Sequence, residues 1–193
     1  MKNYTSEIKT YYATLTKTIK ALNTNELSDA MNAVMRTYER GGTIYTCGNG
    51  GSASTASHFA NDFNKGVSLH LQKKFKFYCL NDNIATVMAI ANDISYDDVF
   101  SVQLDGRMTK NDLLIAISGS GNSKNIIKAV EYAKSIGAKV IGISGYDGGK
   151  LKQLADYKMH VEINDMQITE DIHMTFDHMI MKIFCNNFNI ATH

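Results

Sequence analysis

The residues from Leu113 to Asn125 constrain this chain more than any other stretch. Leu113–Ile117 is an uninterrupted apolar run of strand length. It breaks into Ser118-Gly119-Ser120-Gly121-Asn122-Ser123, after which Ile126, Ile127, Ala129, Val130 and Ala133 recur at helical spacing up to Gly137. A buried strand therefore feeds a glycine- and hydroxyl-rich turn, and the turn feeds a helix N-terminus. Free amides and the helix dipole favour an anion there. Gly119 and Gly121 allow close backbone approach, and Ser118, Ser120 and Ser123 add hydroxyl donors. The turn lacks the Gly-Lys-Ser/Thr ending of a nucleotide-binding loop, so it suits a single phosphate group better than a triphosphate. An ordinary capped strand–helix turn is the structural alternative.

The rest of the chain repeats the alternation. Residues 4–22 and 25–40 read as two amphipathic helices, the second capped near Asn23, Thr24 or Asn25 and stopped at Gly41-Gly42. The first is either an oligomer contact or packs on its own domain. A strand over 43–47 then meets Gly48-Asn49-Gly50-Gly51-Ser52 and a helix over 53–64. This loop misses the dinucleotide pattern at its last glycine, where Ala53 stands, and no acidic residue follows at the right distance to hold a ribose. Strands are expected over 75–80, 139–144 and 157–163, with helices over 84–92, 99–108, 148–155 and 168–187. Strands alternating with helices predict an α/β fold, a doubly wound parallel sheet flanked by helices, formed by residues 1–193 as one domain. In such sheets ligands bind beyond the carboxyl ends of the strands, where both glycine loops fall.

Charge and composition exclude several classes. The formal net charge is +1 with no basic run, which gives no electrostatic footprint for nucleic acid. No apolar stretch is long enough for a membrane span, and the N-terminus has no signal-peptide core. Cys47, Cys79 and Cys185 are an odd number at unrelated spacings and read as reduced thiols of a cytoplasmic protein.

Candidate chemistry lies on two helices. His58 and Asp62 are four apart and share a face. Glu170 and His178, eight apart, can lean toward one cleft. Histidine with carboxylate suits either proton transfer or a divalent metal. His173 and Asp177, also four apart, read as a solvated pair on another face.

Taken together, Cys47–Ser52 with His58-Phe59-Ala60, Ala91–Asp93, Ile117–Asn125, Gly145–Lys150 and Glu170–His178 resemble the SIS (sugar isomerase) domain family and, within it, the phosphoheptose isomerases. The match runs in order along nearly the whole chain. The resemblance implies a flavodoxin-like three-layer sandwich and a homotetramer with active sites between subunits, the hairpin over residues 4–40 serving in oligomer packing. It implies aldose–ketose isomerisation of sedoheptulose 7-phosphate to D-glycero-D-manno-heptose 7-phosphate, a precursor for lipopolysaccharide or capsule. By position, Ser118, Gly119, Ser120 and Ser123 would hold the phosphate, and Asn49, Gly50, Gly51, Ser52 and Asp93 would line the substrate pocket. Asp62 and His178 would be the proton-transfer pair. His58, Asp62, Glu170 and His178 would be ligands of Zn²⁺.

The sequence departs from the family pattern inside the pocket. Asp62 stands in place of glutamate and Glu170 in place of glutamine. An arginine expected shortly after position 62 is absent, with Lys65 and Gly66 there, and an expected aspartate is Gln167, with Asp165 nearby. The added oxygen donors also suit Fe²⁺ or Mn²⁺. An isomerase of another phosphosugar and a phosphosugar-sensing or protein-binding regulator are the rival functions. Retention of His58, an acid at 62, an acid at 170 and His178 together favours the enzyme.

Overall fold

A computed structural model describes residues 1–190. Its framework is a five-stranded, all-parallel sheet formed by β1 (Ile44–Cys47), β2 (Phe77–Cys79), β3 (Leu113–Ser118), β4 (Lys139–Ser144) and β5 (Tyr157–His160), in the order β2-β1-β3-β4-β5. Alternation within β3 shows why the sheet is covered twice. Leu113, Ile115 and Ile117 face α2 (Thr24–Glu39), α3 (Gly51–Asn61) and α8 (Met166–Asn187), whereas Leu114 and Ala116 face α4 (Ile84–Asp93), α5 (Ser101–Leu104), α6 (Lys124–Ser135) and α7 (Gly149–Leu154). A strand buried on both faces must be apolar throughout, which is the pattern the sequence shows.

Asn23 is the residue that caps α2, its side-chain oxygen accepting from the amides of Asn25 and Glu26. Leu27, Ala30, Ala33 and Val34 then bury one face of α2 against the sheet. The preceding helix α1 (Thr5–Lys20) buries no residue. It reaches α8 through the Tyr11 hydroxyl, which donates to Asp171 at 2.5 Å, and leaves Ile8, Tyr12 and Ile19 exposed.

Several boundaries differ from the sequence reading. The helix after β1 starts at Gly51 and runs on as a π-helical turn, Asp62–Val67. Residues 99–108 are helical only over α5, following a 3₁₀ turn at Tyr96–Asp98 that Ser95 caps. The last strand ends at His160 instead of continuing to 163, and α8 starts at Met166, capped by Asp165. The cysteines are buried and free, and burial pushes the Cys79 thiol up to about 11.

His173 and Asp177 are not a solvated pair. His173 is 1% exposed and Asp177 is 0% exposed. The reason is the face that α8 buries: Ile172, Phe176 and Ile180 join the core on that side, and the adjacent His173 and Asp177 go inward with them. Among the described residues neither ring nitrogen of His173 has a hydrogen-bond partner, and burial holds its pKa down at about 4. The unfolded chain takes up a proton near pH 6.5, which the folded chain refuses until about pH 4. The stability His173 provides is therefore present above pH 6.5 and is lost as pH falls toward 4, by on the order of 3 kcal/mol. Urea unfolding at pH 7 and pH 4.5 should show a smaller acid loss in His173→Phe than in the parent. Equal losses in the two proteins would refute this account.

Candidate active site

The strand order places a topological switch between β1 and β3, because the chain leaves β1 toward β2 and leaves β3 toward β4. Connections that diverge in this way open a crevice at the carboxyl ends of the two strands. Both glycine loops sit there. Asn49 and Ser52 from the first, Ser118, Gly119, Ser120 and Ser123 from the second, and Met166 and Glu170 from α8 line a pocket of about 120 Å³.

The second loop is held rigidly. Gly121, at φ 66°, donates its amide to the Ser118 carbonyl at 3.0 Å, and its own carbonyl accepts from the Leu151 amide at 2.9 Å. The Gly145 amide donates to the Gly119 carbonyl at 2.8 Å, tying the loop to the end of β4. Ser123 is the N-cap residue of α6, yet its hydroxyl makes no cap bond and lies instead 3.2 Å from the Ser118 hydroxyl. The pair thus faces the pocket at a helix N-terminus, with a positive dipole end behind it.

The two loops are joined by an amide pair. Asn49 Nδ2 donates to Asn125 Oδ1, and Asn125 Nδ2 donates to Asn49 Oδ1, both at 2.9 Å. Asn49 Oδ1 accepts a second bond from the Tyr96 hydroxyl at 2.9 Å. Asn49 therefore keeps one N–H for a ligand, and its first task is to fix the spacing between the loops. Asn125 and Tyr96 were not anticipated from sequence, since neither belongs to a motif and only the fold brings them to Asn49. Of the other residues expected here, Gly50 and Gly51 form the turn into α3, Gly50 at φ 54°. Asp93 is exposed at the end of α4, where Asn92 donates to it, and is not among the pocket's lining residues.

A second constellation lies further along α3 and α8. His58 Nε2 is 3.2 Å from His178 Nε2, 3.5 Å from Asp62 Oδ2 and 3.9 Å from Asp177 Oδ2. One ligand atom from each of these residues lies within 4.8 Å of all the others. The sequence reading named three members of this group. The fourth is Asp177, whereas Glu170 lies elsewhere: its carboxylate oxygens would stand 2.6 Å from a Cβ placed on Gly51. The helical arithmetic explains the difference. Residue 177 follows 170 by two turns, so it shares Glu170's face about 10 Å further along α8. Asp177 was missed because its pairing with His173 suggested solvent exposure. Burial, and secondarily Asp62, raises its pKa to about 8.

A family model described as SIS domain matches residues 5–145. The chain is 39% identical over 166 residues to the phosphoheptose isomerase of Helicobacter pylori strain ATCC 700392 / 26695, covering 86% of this chain and 85% of that protein. It is 36% identical over 180 residues to the phosphoheptose isomerase of Aliarcobacter butzleri, covering 93% and 94% respectively. The chain belongs to the phosphoheptose isomerase family of SIS-domain proteins. The solved phosphoheptose isomerase of Neisseria gonorrhoeae superposes with a TM-score of 0.86 at 27% identity, covering 95% of this chain and 100% of that one. Asp62 stands where α3 passes into the π turn, a widening often found at functional sites.

Proposed function

We propose that the protein is an aldose–ketose isomerase that converts sedoheptulose 7-phosphate to D-glycero-D-manno-heptose 7-phosphate through an enediol. The observation that carries this is the pairing of a serine-lined anion pocket at the carboxyl ends of β1 and β3 with a His58–Asp62–His178 cluster on α3 and α8, both helices also bordering that pocket. Family membership narrows the substrate to a phosphorylated heptose.

The hydroxyls of Ser118, Ser120 and Ser123 and the first amides of α6 bind the phosphate. Asn49 and Ser52 border it. Anchoring the phosphate fixes where the reacting carbons lie, which lowers the entropic part of the barrier. Asp62 removes the proton alpha to the carbonyl; the C–H electrons form the carbon–carbon double bond of the enediol, and the carbonyl oxygen gains a proton. Asp62 then returns a proton to the neighbouring carbon. His178 carries the proton between the two sugar oxygens. It directs Nε2 into the cluster, which leaves Nδ1 for that exchange.

The cluster fits a divalent metal. Tetrahedral ligands at Zn²⁺ stand about 3.3 Å apart, close to the spacings around His58. We read the metal as Zn²⁺, which when bound would polarise the sugar carbonyl. The exposed apolar residues Ile8, Tyr12 and Ile19 of α1, with Ile84 and Met88 of α4, support a homotetramer with active sites between subunits. Among the described residues no helix is long and apolar enough to cross a membrane. The free thiols support a cytoplasmic setting, where such an enzyme would supply lipopolysaccharide or capsule precursors.

Sedoheptulose 7-phosphate turnover by the purified protein, with and without added Zn²⁺, tests the reading. Formation of the aldose is expected. Absence of product with Zn²⁺, Fe²⁺ and Mn²⁺, while the phosphosugar still binds, would overturn it.

A further inference from the structure

We infer that Tyr96 is a positioning residue of the active site: its hydroxyl fixes the Asn49 side chain so that Asn49 meets the substrate as a hydrogen-bond donor only. This role presupposes that the serine-lined pocket holds the phosphosugar. The bonds involved join residues of one chain, so they hold whichever subunit completes the site.

The amide pair between the two glycine loops has a fixed sense. Asn125 is 1% exposed, and its Oδ1 accepts from the Ile126 backbone amide at 2.9 Å. A backbone N–H can only donate, so the side-chain oxygen of Asn125 must lie on that side and its nitrogen on the other. Asn125 Oδ1 then takes its second bond from Asn49 Nδ2, and Asn125 Nδ2 donates to Asn49 Oδ1. The Tyr96 hydroxyl closes the far end, donating to Asn49 Oδ1 at 2.9 Å.

The valences decide what Asn49 can meet. Its oxygen holds two bonds, from Asn125 and Tyr96, and its nitrogen holds one, to Asn125. One N–H is left, on a residue that lines the pocket. That N–H selects an oxygen lone pair of the substrate, and Asn49 accepts no hydroxyl proton while Tyr96 occupies its oxygen. Without the Tyr96 hydroxyl the oxygen regains an open lone pair, and the amide is held from the Asn125 side alone.

A short strap delivers Tyr96 to this place. Tyr96 opens the 3₁₀ turn Tyr96–Asp98, and the Ser95 hydroxyl caps that turn by accepting from the Asp97 amide at 3.0 Å. Val99 and Phe100 follow directly and are 0% and 1% exposed, which roots the strap in the core. Asp98 accepts from Lys128 of α6 at 2.8 and 2.9 Å, and Lys124 of α6 stands 3.9 Å from Asp97. Asn125 lies on the same helix, so α6 holds both partners of Asn49. The Tyr96 residue is 57% exposed and adds little to the core, which leaves its hydroxyl as the part with a defined task.

The test is a double-mutant cycle in the full-length protein. The probe is a heptitol 7-phosphate, which keeps the phosphate and the hydroxyls but has no carbonyl to isomerise, and its binding is measured by calorimetry. Tyr96→Phe should raise Kd about fivefold, the worth of one hydrogen bond. The ligand-free melting temperature should stay within about 1 °C, because the ring is exposed. In the Asn49→Ala background, which itself binds more weakly, Tyr96→Phe should change Kd by less than about 1.5-fold, since the hydroxyl acts through Asn49. An unchanged Kd for Tyr96→Phe overturns the assignment. The same loss with and without Asn49 also overturns it, making Tyr96 a direct ligand contact, and a fall of several degrees in melting temperature overturns it by making the role structural. A parent that binds the heptitol phosphate but does not turn over sedoheptulose 7-phosphate sinks the isomerase reading alone, because every arm of the cycle is read as binding. A parent that does not bind the probe overturns both.

Discussion

Asp62→Asn should lower kcat by about 1,000-fold at saturating metal, with phosphosugar affinity changed only a few-fold. The amide preserves the outline of the carboxylate but cannot accept the substrate's carbon-bound proton. Asp62 is well placed for that transfer. It is 9% exposed, which shields it from bulk water, and it stands at the first position of the π turn. One oxygen, Oδ2, faces His58 at 3.5 Å, while Oδ1 accepts from Asn61 Nδ2 at 3.1 Å. The two oxygens can thus serve the cluster and the substrate separately. In the proposed function phosphate is held by the Ser118–Ser123 loop, between β3 and α6 and away from Asp62, so its binding should survive. Steady-state kinetics with Zn²⁺ in excess, combined with direct phosphosugar binding, decide the matter. Activity within tenfold of the parent would remove Asp62 from the role of base.

The second large effect is structural. Gly121→Ala should destabilise the protein by on the order of 3 kcal/mol and weaken phosphosugar binding by at least about tenfold. Two separate penalties meet at this residue. Its φ of 66° is a conformation that side chains disfavour, and a Cβ there would lie 2.0 Å from the Gly148 carbonyl oxygen. The obstacle is backbone at the start of α7, so a simple rotamer change cannot relieve it. Moving the loop away would strain the Leu151 amide bond to the Gly121 carbonyl that braces it. Gly119→Ala is the internal control. Its Cβ would meet Met166 Sδ at 3.0 Å, the flexible end of a side chain, and its φ is not positive. That variant should cost about 1 kcal/mol or less. Urea denaturation of both variants, with KM for the sugar phosphate, provides the comparison. Similar losses in the two would show that backbone strain at Gly121 is not what shapes the loop.

Much of this molecule was legible before any coordinates. Apolar strands followed by glycine turns and amphipathic helices are local patterns, and local patterns translate directly into β1, β3, α2 and α6. A strand apolar at every position, such as Leu113–Ile117, must be covered on both faces, and with the alternation of strands and helices this implied the layered architecture. The phosphate-type loop was legible for the same reason, because its serines and glycines are contiguous. Element ends were less so: the π turn after Asn61 and the short α5 depend on how neighbouring segments pack, and neither changes the hydrophobic period.

The amino-acid sequence by itself therefore determined the alternating α/β fold, the two glycine loops and the pairing of His58 with Asp62, since residues four apart on a helix share a face. Only the tertiary structure decided which acid completes the histidine cluster. Glu170, Asp171 and Asp177 all lie on α8, and spacing alone does not say which side of that helix meets α3. Packing of Ile172, Phe176 and Ile180 on the sheet sets that rotation. It turns the shared face of Glu170 and Asp177 inward and leaves Asp171 on the surface with Tyr11; position along α8 then puts Asp177 beside His58 and Glu170 at the serine-lined pocket. The same packing brings Asn125 and Tyr96 to Asn49, a contact between distant parts of the chain that no local motif encodes.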